Sequence, residues 1–321
     1  YNVDKNQKLE QVYFGEKLLN SSEYKSVPMK GEAYVASGTT DLYEPAIRME
    51  HNDGNPSLEL QYSNHEISNI NADVTQTRIY LKDPVYPVEV VLIYCAYFDE
   101  DVITYQTEIS HSEKKAVTIS RFASSMLHFR AKEYWLEHFH GDWAMEMVPE
   151  ETKLSSGIKI IDSKLGTRAN MYQSPVFFLS LDQPSDETKG ELIAGTLAWT
   201  GNFQFLFDVT KHDYLRVITG MNPDKSEYRL QPKEKFLTPE FIFTYSKDGK
   251  GTASRNLHQW GRKYGMVDGN GTRMTVLNNW EATGFNFNEE RLSNLIAQGA
   301  DLGVDLFLLD DGWFGNKFPR R

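Results

Sequence analysis

Cysteine is almost absent: Cys95 is the only thiol in 321 residues. An intrachain disulfide and a cysteine-rich metal site are therefore excluded. Long apolar runs are missing as well, and none approaches the roughly 18–20 residues of a membrane-spanning helix. Positive charge is in the minority, with 34 Lys and Arg against 45 Asp and Glu and a net charge of −11. An acidic chain without a basic stripe is poorly suited to nucleic acid, so neither nucleic acid nor membrane is an expected partner. No Gly-rich phosphate loop and no Gly-x-Ser-x-Gly elbow occurs. No signal-peptide pattern follows Tyr1. The chain reads as soluble, and as cytoplasmic rather than secreted.

Aromatic residues are abundant at 13%, with 6 Trp, 17 Tyr and 18 Phe. Hydrophobic residues make up 40% and charged residues 25%, a globular balance with enough apolar surface for a sizeable core. The length suits about two domains at roughly 100–200 residues each. Residues 1–250 read as β structure. Val88–Tyr94 is an apolar run, and Val102–Ile109 alternates with Ile103, Tyr105 and Ile109 on one face. Further strands are expected at Ala116–Phe122, Ser174–Leu181, Leu192–Trp199, Phe203–Val209 and Phe241–Tyr245. Turn clusters such as Asp53–Pro56, Thr200–Asn202 and Lys247–Gly249 separate them. Many short strands between turns predict a sandwich of antiparallel sheets.

The texture changes after Gly251. Leu257, Trp260, Gly261 and Tyr264 share a helical face, and Gly265 is a plausible stop. Met274–Asn278 is then a short β run. Asn288 is a good N-cap, followed by Glu289 and Glu290 at the positive end of a helix dipole. Leu292, Leu295, Ile296, Gly299 and Leu302 keep helical period up to Gly303. Leu306–Leu309 is continuously apolar, which predicts a strand buried on both faces. Strand, helix and strand at this spacing form a βαβ unit with parallel strands, which needs a larger sheet or barrel around it.

The chemistry-bearing segments cluster at the ends of those two strands. Asp310-Asp311-Gly312-Trp313-Phe314-Gly315 follows the second, on the rim where α/β barrels bind substrate. Two adjacent carboxylates accept hydrogen bonds from vicinal hydroxyls, and Trp offers a flat face to a sugar ring. A strand end with an ordinary Asp-Gly turn would have the same composition. Asn278-Asn279-Trp280-Glu281 ends the first strand on the same rim; Trp280 packed under a barrel edge and asparagines capping a loop is the structural alternative. His138 and His140 would share a face if Trp135–Trp143 were a strand. A zinc site needs a third ligand, and none stands at a recognisable spacing, so no metal and no cofactor is expected. His51–Pro56 is an ordinary turn by composition, and Cys95 sits in an apolar run as a buried, inert thiol.

The segments Leu277–Thr283 and Leu308–Gly315 resemble glycoside hydrolase family 36 α-galactosidases. The resemblance extends through Arg48–His65 with its Asp-Gly-Asn turn, Trp135–Trp143, Ser174–Phe178, Gly201–Phe203 and Tyr245–His258. It implies a mainly β chain: an N-terminal β-supersandwich at residues 1–250, a helical linker at 251–272, and the first βαβ portion of a (β/α)8 TIM barrel at 273–321. It implies hydrolysis of terminal non-reducing α-D-galactose from oligosaccharides such as raffinose and melibiose, with retention and without a metal. Retention takes two carboxyl groups about 5–5.5 Å apart. In the family both are aspartates on later barrel strands, and the Lys-Trp-Asp setting of the nucleophile does not occur here. No catalytic residue is therefore assigned, and the pair is expected beyond Arg321.

By the same resemblance, Asp310 and Asp311 match a galactose-binding pair and Trp280 an aromatic lining that pocket. Neighbours on a strand end, the two aspartates point in different directions, a poor geometry for a catalytic pair. Family tetramers bring a neighbour's N-terminal loop near the site. His51–Asn55 resembles such a loop, with Asp53 its best contact, and a homotetramer is implied. Gly284 and Asn286 stand where the family often has an aromatic and an acid, and Arg168–Gln173 replaces a more His-rich stretch. Galactose and N-acetylgalactosamine both stay open as the recognised sugar. Phe318–Arg321 does not read as a natural end, so the chain is expected to be an inactive part of a longer enzyme. The alternatives are a non-catalytic carbohydrate-binding β-sandwich module, which the late βαβ unit disfavours, and a scaffold that only builds the oligomer.

Overall fold

Alternating Val, Ile, Tyr and Phe drive most of the strands seen in the computed structural model, which describes residues 1–321 except 17, 21, 22, 25–30, 40–42, 170, 211, 212, 225 and 315–321. Phe318–Arg321, Gly315 and Asn170 thus lie outside the described residues. The chain divides into two units, Tyr1–Gly261 and Arg262–Arg321.

In the first unit, β1 (Asn2–Val3), β2 (Leu9–Gln11) and β3 (Gly31–Glu32) form a small antiparallel sheet. After β4 (Ile47–Glu50), the strands β5 (Gln61–Asn69), β6 (Val74–Lys82), β7 (Val88–Tyr97) and β8 (Val102–His111) run as an antiparallel meander. Next come β9 (Val117–Arg130), β10 (Tyr134–His140), β11 (Val148–Lys153), β12 (Gly157–Asp162), β13 (Gln173–Leu181), β14 (Leu192–Leu197) and β15 (Phe203–Val209). Finally β16 (Tyr214–Met221), β17 (Tyr228–Leu230), β18 (Lys235–Leu237) and β19 (Phe241–Ser246) complete the β region. One sheet has the order β11-β10-β13-β14-β19-β8-β7-β6-β5, with β18 also on β8; the other has β12-β15-β16-β9-β17, with β4 also on β9.

The core lies between these sheets. Phe177 on β13 meets Phe205 and Phe207 on β15 at ring distances of 5.4 and 5.0 Å, and all three are buried. Edge-to-face aromatic contacts of this kind add stability beyond the area they bury. Cys95 is buried on β7. β9 runs past the expected stop at Phe122 because Ser124 and Ser125 are accommodated in the interior, where Ser125 Oγ lies 2.7 Å from Thr219 Oγ1. Among the described residues no α-helix precedes α1 (Gly249–Trp260). The expected face from Leu257 to Tyr264 spans the end of α1 and a π turn at Gly261–Gly265.

In the second unit, β20 (Val276–Asn278) leads through the short α2 (Trp280–Thr283) and α3 (Glu289–Asp301) to β21 (Leu306–Leu308). β20 and β21 pair in parallel, with Leu277 opposite Phe307, so the segment is a βαβ unit. Asn288 caps α3 by accepting the Arg291 N–H at 2.9 Å. The expected two-sided burial of the second strand is not realised: Leu306 and Leu308 are each 47% exposed, because β20 is the one strand that pairs with β21 among the described residues. Among the described residues no helix is long and apolar enough to cross a membrane.

Candidate functional site

The strand ends of the second unit are built around two asparagines. Asn278 closes β20, and its amide donates to Asp310 Oδ2 at 2.6 Å while its carbonyl oxygen accepts the Trp280 N–H at 2.7 Å. One side chain thus fixes both the carboxylate and the start of the helix that carries the indole. Asn279 is fully buried. Its carbonyl oxygen accepts the Asp310 N–H at 2.7 Å, and its amide donates to Thr283 Oγ1 at 2.9 Å. Parallel pairing of β20 with β21 brings these segments together across 32 positions of sequence.

The Asn278 amide, and then the Asp311 N–H, hold the Asp310 carboxyl below the usual carboxylate range. An ionised carboxylate is a pure acceptor, suited to hydroxyl donors. Asp310 is half-buried, and Asp311 beside it is exposed. Trp280 stands edge-on to Phe285 with ring centres 4.8 Å apart. Gly312 has φ +99°, and a Cβ there would come within 3.0 Å of Phe287, so the turn after the aspartates tolerates only glycine without movement. Arg291 braces the loop after α2 by donating to the carbonyls of Asn286 and Ala282 at 2.6 and 3.0 Å.

The Asp53 turn, in the first unit, is anchored from below. His51 is buried, and its Nδ1 lies 2.7 Å from Glu113 Oε1 while its Nε2 lies 2.9 Å from the Ser57 carbonyl. Glu113 Oε2 also accepts the Asn52 N–H at 3.0 Å and contacts the Asn52 amide. Burial alone would raise the Glu113 carboxyl, but the His51 imidazole and the Asn52 donors outweigh it and hold the group low. Tyr86 stacks on His51 at 3.6 Å and donates its hydroxyl to Asp53 Oδ2 at 3.0 Å. Asp53 Oδ1 accepts the Asn55 N–H at 3.0 Å. The Asn55 N–H and then the Tyr86 hydroxyl keep the exposed Asp53 carboxyl low. Gly54, at φ +87°, closes the turn by donating to the His51 carbonyl at 2.9 Å.

Composition alone made this segment an ordinary turn. Glu113 and Tyr86 carry no local signal, since they reach the turn through the β7–β8 meander and the loops at its end. Asn279 was legible as a strand-end asparagine, but its burial and its grip on Asp310 were not.

A cleft of 450 Å³ in the first unit has none of these residues in its wall; Phe14, Tyr97, Asp101, Tyr245, Lys247 and Asn256 are among those that line it. Several of its polar groups are already spent on one another. Glu16 pairs with Lys247, the Asn256 amide donates to Thr244 Oγ1 at 3.0 Å, and that hydroxyl donates to the Asp101 carbonyl at 2.7 Å. Asp73, Asp99 and Glu100 bring carboxylates together nearby in the same unit, but Asp73 Oδ1 already accepts the Asp99 N–H at 2.7 Å. Neither feature matches the strand-end rim as a place where polar groups are both fixed and available.

Two family descriptions match the chain: the glycosyl hydrolase family 36 N-terminal domain over residues 7–231, and Melibiase over residues 235–321. The chain is similar to alpha-galactosidase C of Emericella nidulans, with 31% identity over 298 residues, covering 88% of this chain and 40% of that protein. It is similar to alpha-galactosidase AgaA of Geobacillus stearothermophilus, with 31% identity over 307 residues, covering 90% of this chain and 42% of that protein. A solved structure of an AgaA variant in complex with 1-deoxygalactonojirimycin superposes with a TM-score of 0.90 at 27% identity, over 98% of this chain and 48% of its own. Another AgaA variant, in complex with raffinose, gives 0.89 at 28% identity over the same shares. The chain thus spans about 40% of the length of the curated relatives it matches.

Proposed function

Because the chain belongs to glycosyl hydrolase family 36, we propose that it is part of a retaining α-galactosidase acting on terminal α-D-galactose of raffinose-type oligosaccharides. The observation that carries the reading is the pair Asp310 and Asp311 at the β21 end, with Asp310 ionised and held in place by Asn278 and Asn279. In this reading both carboxylates accept sugar hydroxyls, and Trp280 offers its indole to the apolar face of the ring. Asp53 reaches the sugar of a neighbouring subunit in a homotetramer. The nucleophile and the acid/base lie outside residues 1–321. Residues 1–250 are the supersandwich, 251–272 the linker, and 273–321 the start of the barrel. The complexes of AgaA variants with raffinose and stachyose support an oligosaccharide as substrate.

The test is turnover of p-nitrophenyl α-galactoside and raffinose, with the anomer released followed by proton NMR. The parent enzyme is expected to release α-galactose first, while residues 1–321 alone show no turnover. Release of the β-anomer would refute retention. Turnover by residues 1–321 alone would refute the placement of the catalytic pair. Galactose binding without any turnover by the parent would favour the non-catalytic module.

A further inference from the structure

Tyr86 lies in the loop between β6 and β7, 33 positions from Asp53 in sequence. Three sets of contacts hold it. Its N–H and that of Val85 are both accepted by Asp83 Oδ1 at 2.7 Å, and Asp83 Oδ2 accepts the Glu59 N–H at 2.8 Å. Its ring lies flat on His51, with centres 3.6 Å apart and planes 9° apart. His51 is itself fixed, because Glu113 engages one ring nitrogen and the Ser57 carbonyl the other. The Asn55 side-chain amide donates to the Tyr86 hydroxyl at 2.9 Å, and the hydroxyl donates its own proton to Asp53 Oδ2 at 3.0 Å. Donors in line in this way polarise one another.

The backbone of the turn does not depend on that hydroxyl. The His51 N–H donates to the Asn55 carbonyl and the Gly54 N–H to the His51 carbonyl, each at 2.9 Å, and Glu113 takes the Asn52 N–H. What the hydroxyl adds is direction. The Asn55 N–H alone would fix one oxygen of Asp53 and leave the carboxylate free to rotate about it. A second donor on the other oxygen sets the plane of the group. Both fixed donors are neutral, and an ionised carboxylate offers about four acceptor positions, so room remains for a hydroxyl from outside. Asp53 is exposed and open to one.

We propose that Tyr86 is a positioning residue for the substrate: its hydroxyl holds the Asp53 carboxylate at the angle from which Asp53 accepts a sugar hydroxyl. The inference rests on the reading that Asp53 contacts the sugar. Asp53 is not one of the reacting carboxyls, so that contact is made alike before and during the reaction. Weakening it therefore raises KM rather than lowering kcat.

The experiment measures kcat and KM for raffinose in the parent enzyme carrying Tyr86→Phe, Asp53→Ala or both. Tyr86→Phe keeps the ring on His51 and removes only the hydroxyl, so its melt should stay close to wild type. KM is expected to rise about threefold or more, the worth of one ordinary hydrogen bond, with kcat within about twofold. Asp53→Ala should raise KM at least as much. Adding Tyr86→Phe to it should cost nothing further, because the hydroxyl then has no carboxylate to aim. Wild-type KM in Tyr86→Phe while Asp53→Ala raises it overturns the positioning role, and so do effects of the two changes that multiply. Wild-type KM in Asp53→Ala itself overturns instead the contact between Asp53 and the sugar, and the positioning role with it.

Discussion

Replacing Glu113 by alanine should loosen the turn that carries Asp53. The His51 side chain is 0% exposed and that of Glu113 2%, so the pair is shielded from water. Alanine leaves His51 Nδ1 without an acceptor, whereas Asn52 is exposed and turns to solvent. Removing one partner of a buried ion pair costs about 3–5 kcal/mol. A ring that stays neutral loses only a charge-assisted hydrogen bond, about 1.5–3 kcal/mol. The expected loss is thus about 3 kcal/mol, which in a unit of this size lowers Tm by roughly 6–12 °C. Glu113→Gln keeps an acceptor oxygen and should lose about half as much.

The sign with pH follows from the depressed carboxyl. Its contribution is fully present above the unfolded carboxylate range, about 4.3, and disappears as pH falls through the lower folded value. The Tm gap between wild type and Glu113→Ala should be full at neutral pH and shrink in acid below about pH 4. Hydrogen exchange gives a local readout, because the N–H groups of His51 and Gly54 bond within the turn at 2.9 Å. A variant with a wild-type melt at neutral pH and unchanged exchange at Gly54 would refute the anchoring role.

Asp310→Asn and Asp311→Asn in the parent enzyme should each lower kcat/KM for an α-galactoside by about tenfold or more with the melt unchanged; wild-type kinetics in both would sink the sugar-binding assignment. Asn278→Ala should raise the Asp310 carboxyl toward its ordinary value, which carbon NMR titration can follow. Gly195→Ala sets a Cβ 2.5 Å from Phe241 and 2.9 Å from Phe177, an overpacking worth about 1–3 kcal/mol in denaturant unfolding. Asn288→Ala removes the cap of α3, about 1 kcal/mol, and should speed exchange at the Arg291 N–H.

Legibility followed burial pattern. The strands β7, β8, β13 and β15 alternate or run apolar, and the sequence reading located each within a few residues. β5 escaped because most of its residues are exposed and polar; it is a strand only because it pairs with β6. The second half of β9 escaped because Ser124 and Ser125 look like loop residues until Thr219 satisfies one of them. The βαβ segment was legible from its cap, its period and its apolar run, whereas the exposure of Leu306 and Leu308 was not.

Local periodicity and residue type were thus enough to determine a β-rich first unit, a parallel strand pair after it, and a polar, aromatic rim at the strand ends. Only the tertiary structure decided that Asn279 grips Asp310, that Glu113 grips His51 across 62 positions, and that Glu150 faces His138 and His140. The reason is pairing: a strand's neighbours, and the loops that strand ends bring together, are set by contact with a distant segment, and a slip of one residue between β10 and β11 would turn Glu150 away from His138.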